Sequence, residues 1–210
     1  MADNMDHIFE GISPFEQLLY RLSYASLHHT FSHFAPDIVF TLACTSHTVL
    51  YIVTEYSKKA WDVNALFKRW FQDPVQFREV MNSTRAIVGG MVALQFFDRG
   101  KRDVTVFDIF VRFDGLLGMG RYLISEGYKF QGGRHDDKEW DTVAYTLSGK
   151  LRFDVHRRDP NNPFSCGLIR SFRFIRVCRH RHGGPFVQTI RLVLLRLDPI
   201  KWILSAQSSE

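Results

Sequence analysis

The stretch IVGGMVALQFFDRGKRDVTVFDIFV, from Ile87 to Val111, contains three patterns in succession. It opens on the β-branched pair Ile-Val, passes through a glycine pair into the helix-compatible run MVALQFFDR, and ends in VTVFDIFV, where β-formers dominate. These residue types predict a strand, a turn, a helix over 90–98 and a second strand. A glycine pair at this junction lets a phosphate approach the backbone, and the helix N-terminus behind it offers amide donors. Gly89 and Gly90 are therefore predicted to form a phosphate-binding turn.

Metal-dependent chemistry beside such a turn requires acidic residues on the following strand. Two acids at alternate positions share one face of a strand, where they hold a divalent metal between them. The strand here places Val106 and Asp108 at those two positions, so only one of them is an acid. Asp103 is three positions from Val106, and an odd separation puts it on the opposite face. The sequence thus predicts a single residual metal ligand, Asp108.

Before residue 85 the chain has the signals of a small helical bundle. Ser13-Pro14-Phe15-Glu16 is a capping box with proline at the first helical position, so a helix begins there. Asp73-Pro74 starts another short helix that ends near residue 82. Apolar residues at helical spacing predict two further helical runs, at 36–56 and 63–71. We therefore predict a helical region over residues 1–84.

From residue 85 onward β-formers dominate, and the pattern predicts a sheet domain over 85–210. The predicted strands are 86–88, 104–112, 141–147, 150–155, 170–178 and 186–195. The predicted helices of this part are 90–98, 116–126 and 199–204. Strand, helix, strand and helix followed by several strands indicate a mixed sheet with flanking helices. The fold class predicted for the whole chain is α/β (α+β), with an N-terminal helical bundle before the sheet.

Composition limits the compartment and the partners. The chain of 210 residues is 45% hydrophobic, which is enough to bury a full core. It contains no run of about 18 apolar residues, and its first residues include early acids, so no membrane span and no signal peptide are predicted. Three widely spaced cysteines suit reduced thiols. We expect an intracellular protein, cytoplasmic or nuclear, without a membrane partner.

The charge of the chain leaves two interpretations open. The net charge is +5, and seven arginines crowd the stretch from Arg170 to Arg196 in the last quarter of the sequence. They either create a local positive field that attracts phosphates or form the solvated faces of an antiparallel sheet. The 19 phenylalanines have few basic neighbours, which favours a packed core over base stacking. Nucleic acid is therefore a less favoured partner than a nucleotide.

Four segments carry a family resemblance: DPVQFREVMNSTRAIVGGMVALQFFDR, TVFDIFV, YLISEGYKF, and VQTIRLVLLRLDPIKWILSAQSS near the end. Through them the chain, from about residue 35 to 204, resembles the nucleotidyltransferase-like proteins that are numerous in mushroom-forming fungi. The unbroken ALQFFDR at 93–99 is the most specific match. The resemblance implies a nucleotidyltransferase-like sheet domain.

The departures from the family pattern imply a degenerate member without catalysis. The usual Gly-Ser becomes Gly89-Gly90, and the two acids of the family map onto Val106 and Asp108. The third acid of such enzymes lies on a neighbouring strand, which here reads FVQTI at 186–190, and Asp154 is the only candidate to replace it. No catalytic residue is therefore assigned, although Asp108 and Asp154 are residual candidates. The resemblance implies weak nucleotide or phosphate binding at the glycine pair, with Mg²⁺ held weakly by Asp108 if a nucleotide binds.

The helical half suggests an alternative function. The segment LSYASLHHTFSHFAPDIVFTLACTSHTVLYIVTEY, residues 22–56, resembles an F-box, with Leu42, Cys44 and Tyr51 where that pattern usually has leucine, cysteine and an aromatic. Such a module would dock the adaptor of a ubiquitin ligase through exposed apolar helix faces. The competing interpretation is that these side chains cover the sheet domain. A protein partner of the N-terminal helices is the second hypothesis.

Overall fold

A computed structural model describes residues 11–99, 104–133, 139–154, 168–179 and 184–201. The helices and strands are, in chain order, α1 (Pro14–Arg21), α2 (Tyr24–Ser32), α3 (Pro36–Ala43), α4 (His47–Ala60), α5 (Val63–Phe67), α6 (Pro74–Thr84), β1 (Ile87–Gly89), α7 (Gly90–Asp98), β2 (Val106–Arg112), α8 (Phe113–Ser125), β3 (Lys129–Gln131), α9 (Trp140–Asp154), β4 (Leu168–Arg179) and β5 (Pro185–Leu195). Nine helices and a five-stranded mixed sheet within the described residues confirm the predicted α/β (α+β) class.

Contacts group the chain into two compact units. Among the described residues, one unit comprises 11–63 and 95–99, and the other comprises 64–94 and the described part of 104–201. Helices α5 and α6 group with the sheet in the second unit. These units therefore do not coincide with the two predicted domains, 1–84 and 85–210.

In the first unit, helix α1 begins where the capping box predicts. Ser13 Oγ accepts a hydrogen bond from the Glu16 amide, and the Ser13 amide donates to Glu16 Oε2 at 2.7 Å. Ser46 Oγ donates to Glu16 Oε1 at 2.5 Å, which ties the start of α1 to the start of α4. Hydrogen bonds from Ser13 and Ser46 lower the pKa of Glu16 below its usual range.

The predicted helical run 36–56 is interrupted, and it forms the two helices α3 and α4. Thr45 Oγ1 donates to the Leu42 carbonyl at 2.7 Å, and Ser46 Oγ accepts from the Val49 amide. Short polar side chains that bond nearby backbone groups compete with the continuation of a helix. The two helices share one apolar core with the rest of the unit. Its most deeply buried members are Phe31, Val39, Val49, Val53 and Tyr56.

In the second unit, the strand order of the sheet is β1-β2-β5-β4-β3. Strand β2 pairs antiparallel with β1 and parallel with β5, while β4 pairs antiparallel with both β5 and β3. The predicted neighbour of β2 is confirmed, because Val106 pairs with Thr189 and Asp108 pairs with Arg191. Strand β2 is therefore internal, and its two faces meet different surroundings.

One face of the sheet is covered by helices. Phe107, Ile109 and Val111 of β2 are fully buried on this side, since alternate residues of a strand share a face. Phe107 meets the rings of Phe67, Trp70, Phe71 and Phe77, at centroid distances between 5.2 and 6.0 Å. Helix α8 lies on the same side as Val111. We call this side the covered face.

The opposite side, here the Asp108 face, carries the other residues of the same strands. Its members are Val106, Asp108 and Phe110 of β2, Thr189, Arg191 and Val193 of β5, and Arg173, Ile175 and Val177 of β4. Arg173, Val177 and Arg191 are exposed, and Val106 is 36% exposed. The sheet thus has one apolar, packed side and one side with charged and exposed residues.

Two predicted strands, 141–147 and 150–155, are wrong as far as the structure describes them, because residues 140–154 form helix α9. The β-branched and aromatic residues of this segment favoured strands. Trp140, Val143 and Ala144 are all buried, and their spacing of three and four residues gives one apolar helix face that packs near α8. Gly120 of α8 makes room for the indole of Trp140, since a Cβ there would lie 2.0 Å from the ring.

The remaining differences concern the ends of elements and one short strand. Helix α8 begins at Phe113, three residues earlier than predicted, and β2 begins at Val106. The edge strand β3 was not predicted, because a strand of three residues shows too little alternation. The predicted helix 199–204 is helical over its first three residues, and the rest lies outside the described residues.

Candidate functional site

The glycine pair lies at the end of β1, beside Asp108. Gly89 pairs with Asp108 in the antiparallel register, and a Cβ on Gly89 would lie 2.2 Å from the ring of Phe110. Gly90 begins α7 with a φ of 65°, and a Cβ there would lie 2.2 Å from Asp108 Oδ2. Both positions therefore require glycine, the second for its left-handed backbone as well as for space. The structure brings Gly89, Gly90 and Asp108 together, as the sequence predicts.

Asp108 is held by an arginine from the neighbouring strand. Arg191 Nε donates to Asp108 Oδ1 at 2.7 Å, and Arg191 Nη2 donates to Oδ2 at 2.8 Å. Paired in-register positions on β2 and β5 place the two side chains on the same face. Two parallel charge-assisted hydrogen bonds of this length are among the strongest polar contacts in proteins. Both oxygens of the carboxylate are therefore engaged by one guanidinium.

The two partners of this pair differ in their exposure to solvent. Asp108 is 5% exposed, whereas 53% of the Arg191 side chain is accessible. The hydrogen bonds to Asp108 raise the pKa of Arg191 above its ordinary value, so the guanidinium stays charged. The pair thus buries the negative charge and leaves positive charge at the surface.

A second arginine lies next to Arg191 on the same face. Arg173 of β4 pairs with Arg191 in the antiparallel register, and its side chain is exposed. Residues directly opposite each other have their Cβ atoms about 5 Å apart, and two like charges in that arrangement are unfavourable. One carboxylate and two guanidinium groups give this part of the Asp108 face a net positive charge. Such a local charge attracts anions, phosphate among them.

The residues present do not fit the magnesium ion that the family resemblance implies. Magnesium requires oxygen ligands in near-octahedral geometry, and Val106 presents an isopropyl group on this face. Both oxygens of Asp108 are engaged, and β5 contains no acidic residue. Across the described ranges, no group of three or more His, Cys, Asp or Glu side chains is arranged to hold a metal.

Asp154 does not lie where the sequence analysis placed it. It is the last residue of helix α9 and belongs to none of the strands next to β2. The expectation that it replaces a metal ligand from a neighbouring strand was based on the wrong strand 150–155. The neighbouring strand of β2 is β5, which presents Thr189 and Arg191 on the side of Asp108.

Sequence reasoning missed the role of Arg191, which it counted only among the arginines of the last quarter. The signal was present in two features, the acid at an internal position of β2 and the single arginine inside the apolar run of β5. An arginine flanked by Ile190 and Leu192 is out of place on a buried strand unless its own side carries a partner. The partner depends on the register between two strands that are 83 residues apart.

In the first unit, the three residues of the F-box resemblance have different environments. Leu42 is partly buried and packs against the helical core, where it lines a cavity of about 250 Å³ with Phe15 and Val49. Cys44 is exposed, and Tyr51 is 60% exposed. Of the three, Cys44 and Tyr51 are accessible to a partner, while Leu42 contributes to folding.

Comparisons of the chain with protein-family models, with curated proteins and with solved structures give no match. The family resemblance therefore stays a prediction from the residues quoted above. In the part of the chain that the structure describes, no helix has both the length and the apolar character needed to cross a membrane.

Proposed function

We propose that the protein is a catalytically inactive, nucleotidyltransferase-like protein that retains weak binding of a nucleotide or a related phosphate at the Gly89–Gly90 turn. The observation that carries the proposal is the Asp108–Arg191 pair beside this turn. It removes the one carboxylate of β2 from metal chemistry and puts an exposed guanidinium next to the glycine pair. The nucleotidyltransferase likeness itself comes from the sequence motifs.

The proposed loss of catalysis follows from the small number of possible metal ligands around Asp108. Two-metal chemistry requires several carboxylates around the ions, since each metal must be held and its charge balanced. The nearest positions to Asp108 on its own face are Val106 of β2 and Thr189 and Arg191 of β5. None of the three is a carboxylate, so these positions lack the acids that would hold metal ions for activating an attacking hydroxyl group.

Retained binding is supported by the charge and the backbone at the same place. Gly90 is exposed, and it begins a nine-residue helix whose first amides carry partial positive charge. Arg191 and Arg173, on adjacent strands, carry two positive charges against the one negative charge of Asp108. We expect binding to be weak, because Asp108 neutralises part of this positive charge. If Mg²⁺ takes part, the phosphates must be its main ligands, and Asp108 must first release Arg191.

Calorimetric titration with each nucleoside triphosphate tests the proposal. The matched variants are Gly90→Ala, whose Cβ would meet Asp108 Oδ2, and Gly184→Ala, whose Cβ would meet nothing within 4 Å. We expect binding by the wild type and by Gly184→Ala, and at least a tenfold loss, about 1.4 kcal/mol, for Gly90→Ala. Absence of binding for every triphosphate, with and without Mg²⁺ and in a protein shown to be folded, would refute the proposal.

The proposed setting of the protein follows from its sequence. The widely spaced cysteines, which suit reduced thiols, support an intracellular location, cytoplasmic or nuclear. A nucleotide is the favoured ligand over nucleic acid, because most of the aromatic residues described in the sheet unit are buried in its core. Fractionation of the host cells, with detection by antibody, tests the location directly.

A second candidate function is an adaptor that acts through the F-box-like helices. The specific observation is a set of large apolar side chains that α3 and α4 leave exposed. These are Ile38, Phe40, Leu50 and Tyr51, each between 48% and 60% exposed. We propose the adaptor subunit of a ubiquitin ligase as the partner, because the resemblance is to the module that such adaptors bind.

The test is titration of this protein with the purified adaptor subunit. Tyr51→Asp is expected to abolish the complex, whereas Asp108→Asn leaves it unchanged. Tyr51 is the better probe than Leu42, because Leu42 packs against the core and its replacement would also unfold the helices. A wild-type protein that gives no complex at micromolar concentrations contradicts the adaptor function.

A further inference from the structure

The Asp108–Arg191 pair also bears on whether Asp108 can bind a metal ion, a question that does not depend on nucleotide binding. A carboxylate coordinates a cation through its oxygens, and here each oxygen accepts a hydrogen bond from the same guanidinium. We infer that Arg191 has taken the place of a metal ion at Asp108, so that this face is closed to divalent cations and holds phosphate without them. The second half of the inference rests on the proposed function, and the first half does not.

Geometry argues that the replacement is built into the fold. Asp108 and Arg191 occupy paired positions on two parallel strands, so the backbone sets their distance. Asp108 is almost completely buried, and Gly90 lies against its Oδ2. The carboxylate therefore has little room to turn away from the guanidinium toward another ligand. A metal would have to displace Arg191 rather than bind beside it.

The charges on the face argue in the same direction. Arginine cannot be deprotonated under ordinary conditions, and its planar fork matches both oxygens of a carboxylate. A divalent cation close to Asp108 would also be close to Arg191, and Arg173 lies on the next strand beyond Arg191. Repulsion from two guanidinium groups opposes any attraction to one carboxylate. The same two charges favour a phosphate, which needs no metal to neutralise it there.

The inference predicts that restoring the missing acid does not restore metal binding. Val106 is on the same face as Asp108 and 36% exposed, so Val106→Asp puts a second carboxylate near the first without disturbing a buried core. Asp108 would still be engaged by Arg191. Metal binding should appear only when the second acid is present and the guanidinium is gone.

Titration with Mn²⁺, monitored by the electron paramagnetic resonance signal of the unbound ion, tests this order of effects. The proteins are the wild type, Val106→Asp, and the double variant Val106→Asp/Arg191→Gln, each checked for folding by circular dichroism. We expect little binding by the first two and at least about tenfold tighter binding by the double variant, a change typical around metal ligands. Adding Asp108→Asn to the double variant should abolish the gain.

A further variant allows the same test if the double variant does not fold. Val106→Asp/Arg191→Lys keeps the positive charge but replaces two fixed hydrogen bonds by one mobile ammonium group. It should bind Mn²⁺ more tightly than Val106→Asp alone. Equal binding by Val106→Asp and by the Arg191 variants would overturn the inference, as would Asp108-dependent binding by the wild type.

The nucleotide part of the inference is separated by titration of the wild type with ATP in EDTA and in Mg²⁺. Similar affinities under both conditions support binding without metal. A requirement for Mg²⁺ overturns the inference and leaves the proposed function intact. No binding of ATP under either condition refutes the proposed function and phosphate binding together, and the Mn²⁺ titration then decides the exclusion of metal by itself.

Discussion

Arg176 and Arg191 lie on adjacent strands of one sheet, on opposite faces, and their side chains are used differently. On the covered face, Arg176 donates to the carbonyls of Trp70 and Glu126 and to the side chain of Gln188. On the Asp108 face, Arg191 binds one carboxylate, and about half of its side chain remains accessible. The first guanidinium satisfies backbone groups that the fold buries, while the second places a charge at the surface.

The surroundings of the two arginines show the same difference. Arg176 lies over the ring of Tyr128, 4.3 Å from its centroid, within a region where aromatic side chains pack closely. Arg191 lies opposite Arg173, an arrangement that costs stability instead of adding to it. The comparison teaches that the covered face is built for packing, whereas the Asp108 face presents positive charge to solvent.

The largest effect should come from the aromatic core of the covered face. We expect Phe107→Ala to lower the free energy of unfolding by about 3–5 kcal/mol. The Phe107 ring packs among several other rings, so its removal leaves a cavity. The matched change on the other face is Phe110→Ala, which should cost less than half as much, since Phe110 is only partly buried. Urea denaturation measures both. Equal costs would break the comparison between the two faces.

A smaller effect should separate the two arginines. We expect Arg176→Met to lower the free energy of unfolding by about 2–3 kcal/mol, because two carbonyls and an amide oxygen lose their donor. Arg191→Gln should cost less, about 1–2 kcal/mol: the buried Asp108 carboxylate loses its donor, but more than half of the Arg191 side chain is exposed to solvent and salt. Denaturation in low and in high salt checks both values. A larger cost for Arg191→Gln would mean that the Asp108 pair exists for stability.

The smallest effect should appear at alkaline pH, on the covered face and not on the Asp108 face. Burial raises the pKa of Tyr128 above its ordinary value of 10.0, because the charged form is poorly solvated there. The folded state therefore holds this proton longer than the unfolded state. Stability is fully present below pH 10 and falls as the pH rises above it, by at most about 1.4 kcal/mol per pH unit.

The pH prediction is checked with Tyr128→Phe, which removes the titrating group. Its free energy of unfolding should be lower at neutral pH, because Tyr128 Oη donates to the Trp70 carbonyl, but should fall less steeply above pH 10. The Asp108–Arg191 pair should be insensitive over this range, since arginine stays protonated. Equal slopes for wild type and variant would contradict the assignment of this proton to the covered face.

The parts of the fold that could be predicted from sequence are those fixed by local chemistry. The capping box at Ser13, the proline after Asp73 and the glycine pair at Gly89 each mark an element boundary within a few residues. Helix α9 was mistaken for strands because its residues favour β-structure one by one. Its helical pattern depends on Trp140, whose burial against Gly120 is a tertiary contact.

The candidate site was predictable only in the half that is local in sequence. Gly89, Gly90 and Asp108 could be placed together because a strand, a turn and the next strand follow one another. Arg191 could not be assigned to Asp108, because the register between β2 and β5 joins positions far apart in the chain. Asp154 was assigned through a strand that does not form. Arg191 was missed because its pairing is nonlocal, and Asp154 was wrongly assigned because its predicted strand is a helix.

A crystal structure grown in Mn²⁺, with anomalous scattering measured at the manganese absorption edge, tests the central claim most directly. The claim is that the Arg191 guanidinium, and not a metal ion, binds the carboxylate of Asp108. It predicts the guanidinium on both carboxylate oxygens at hydrogen-bond distance and no anomalous peak beside them. A manganese peak about 2.0–2.6 Å from the Asp108 oxygens, with Arg191 turned away, would contradict it.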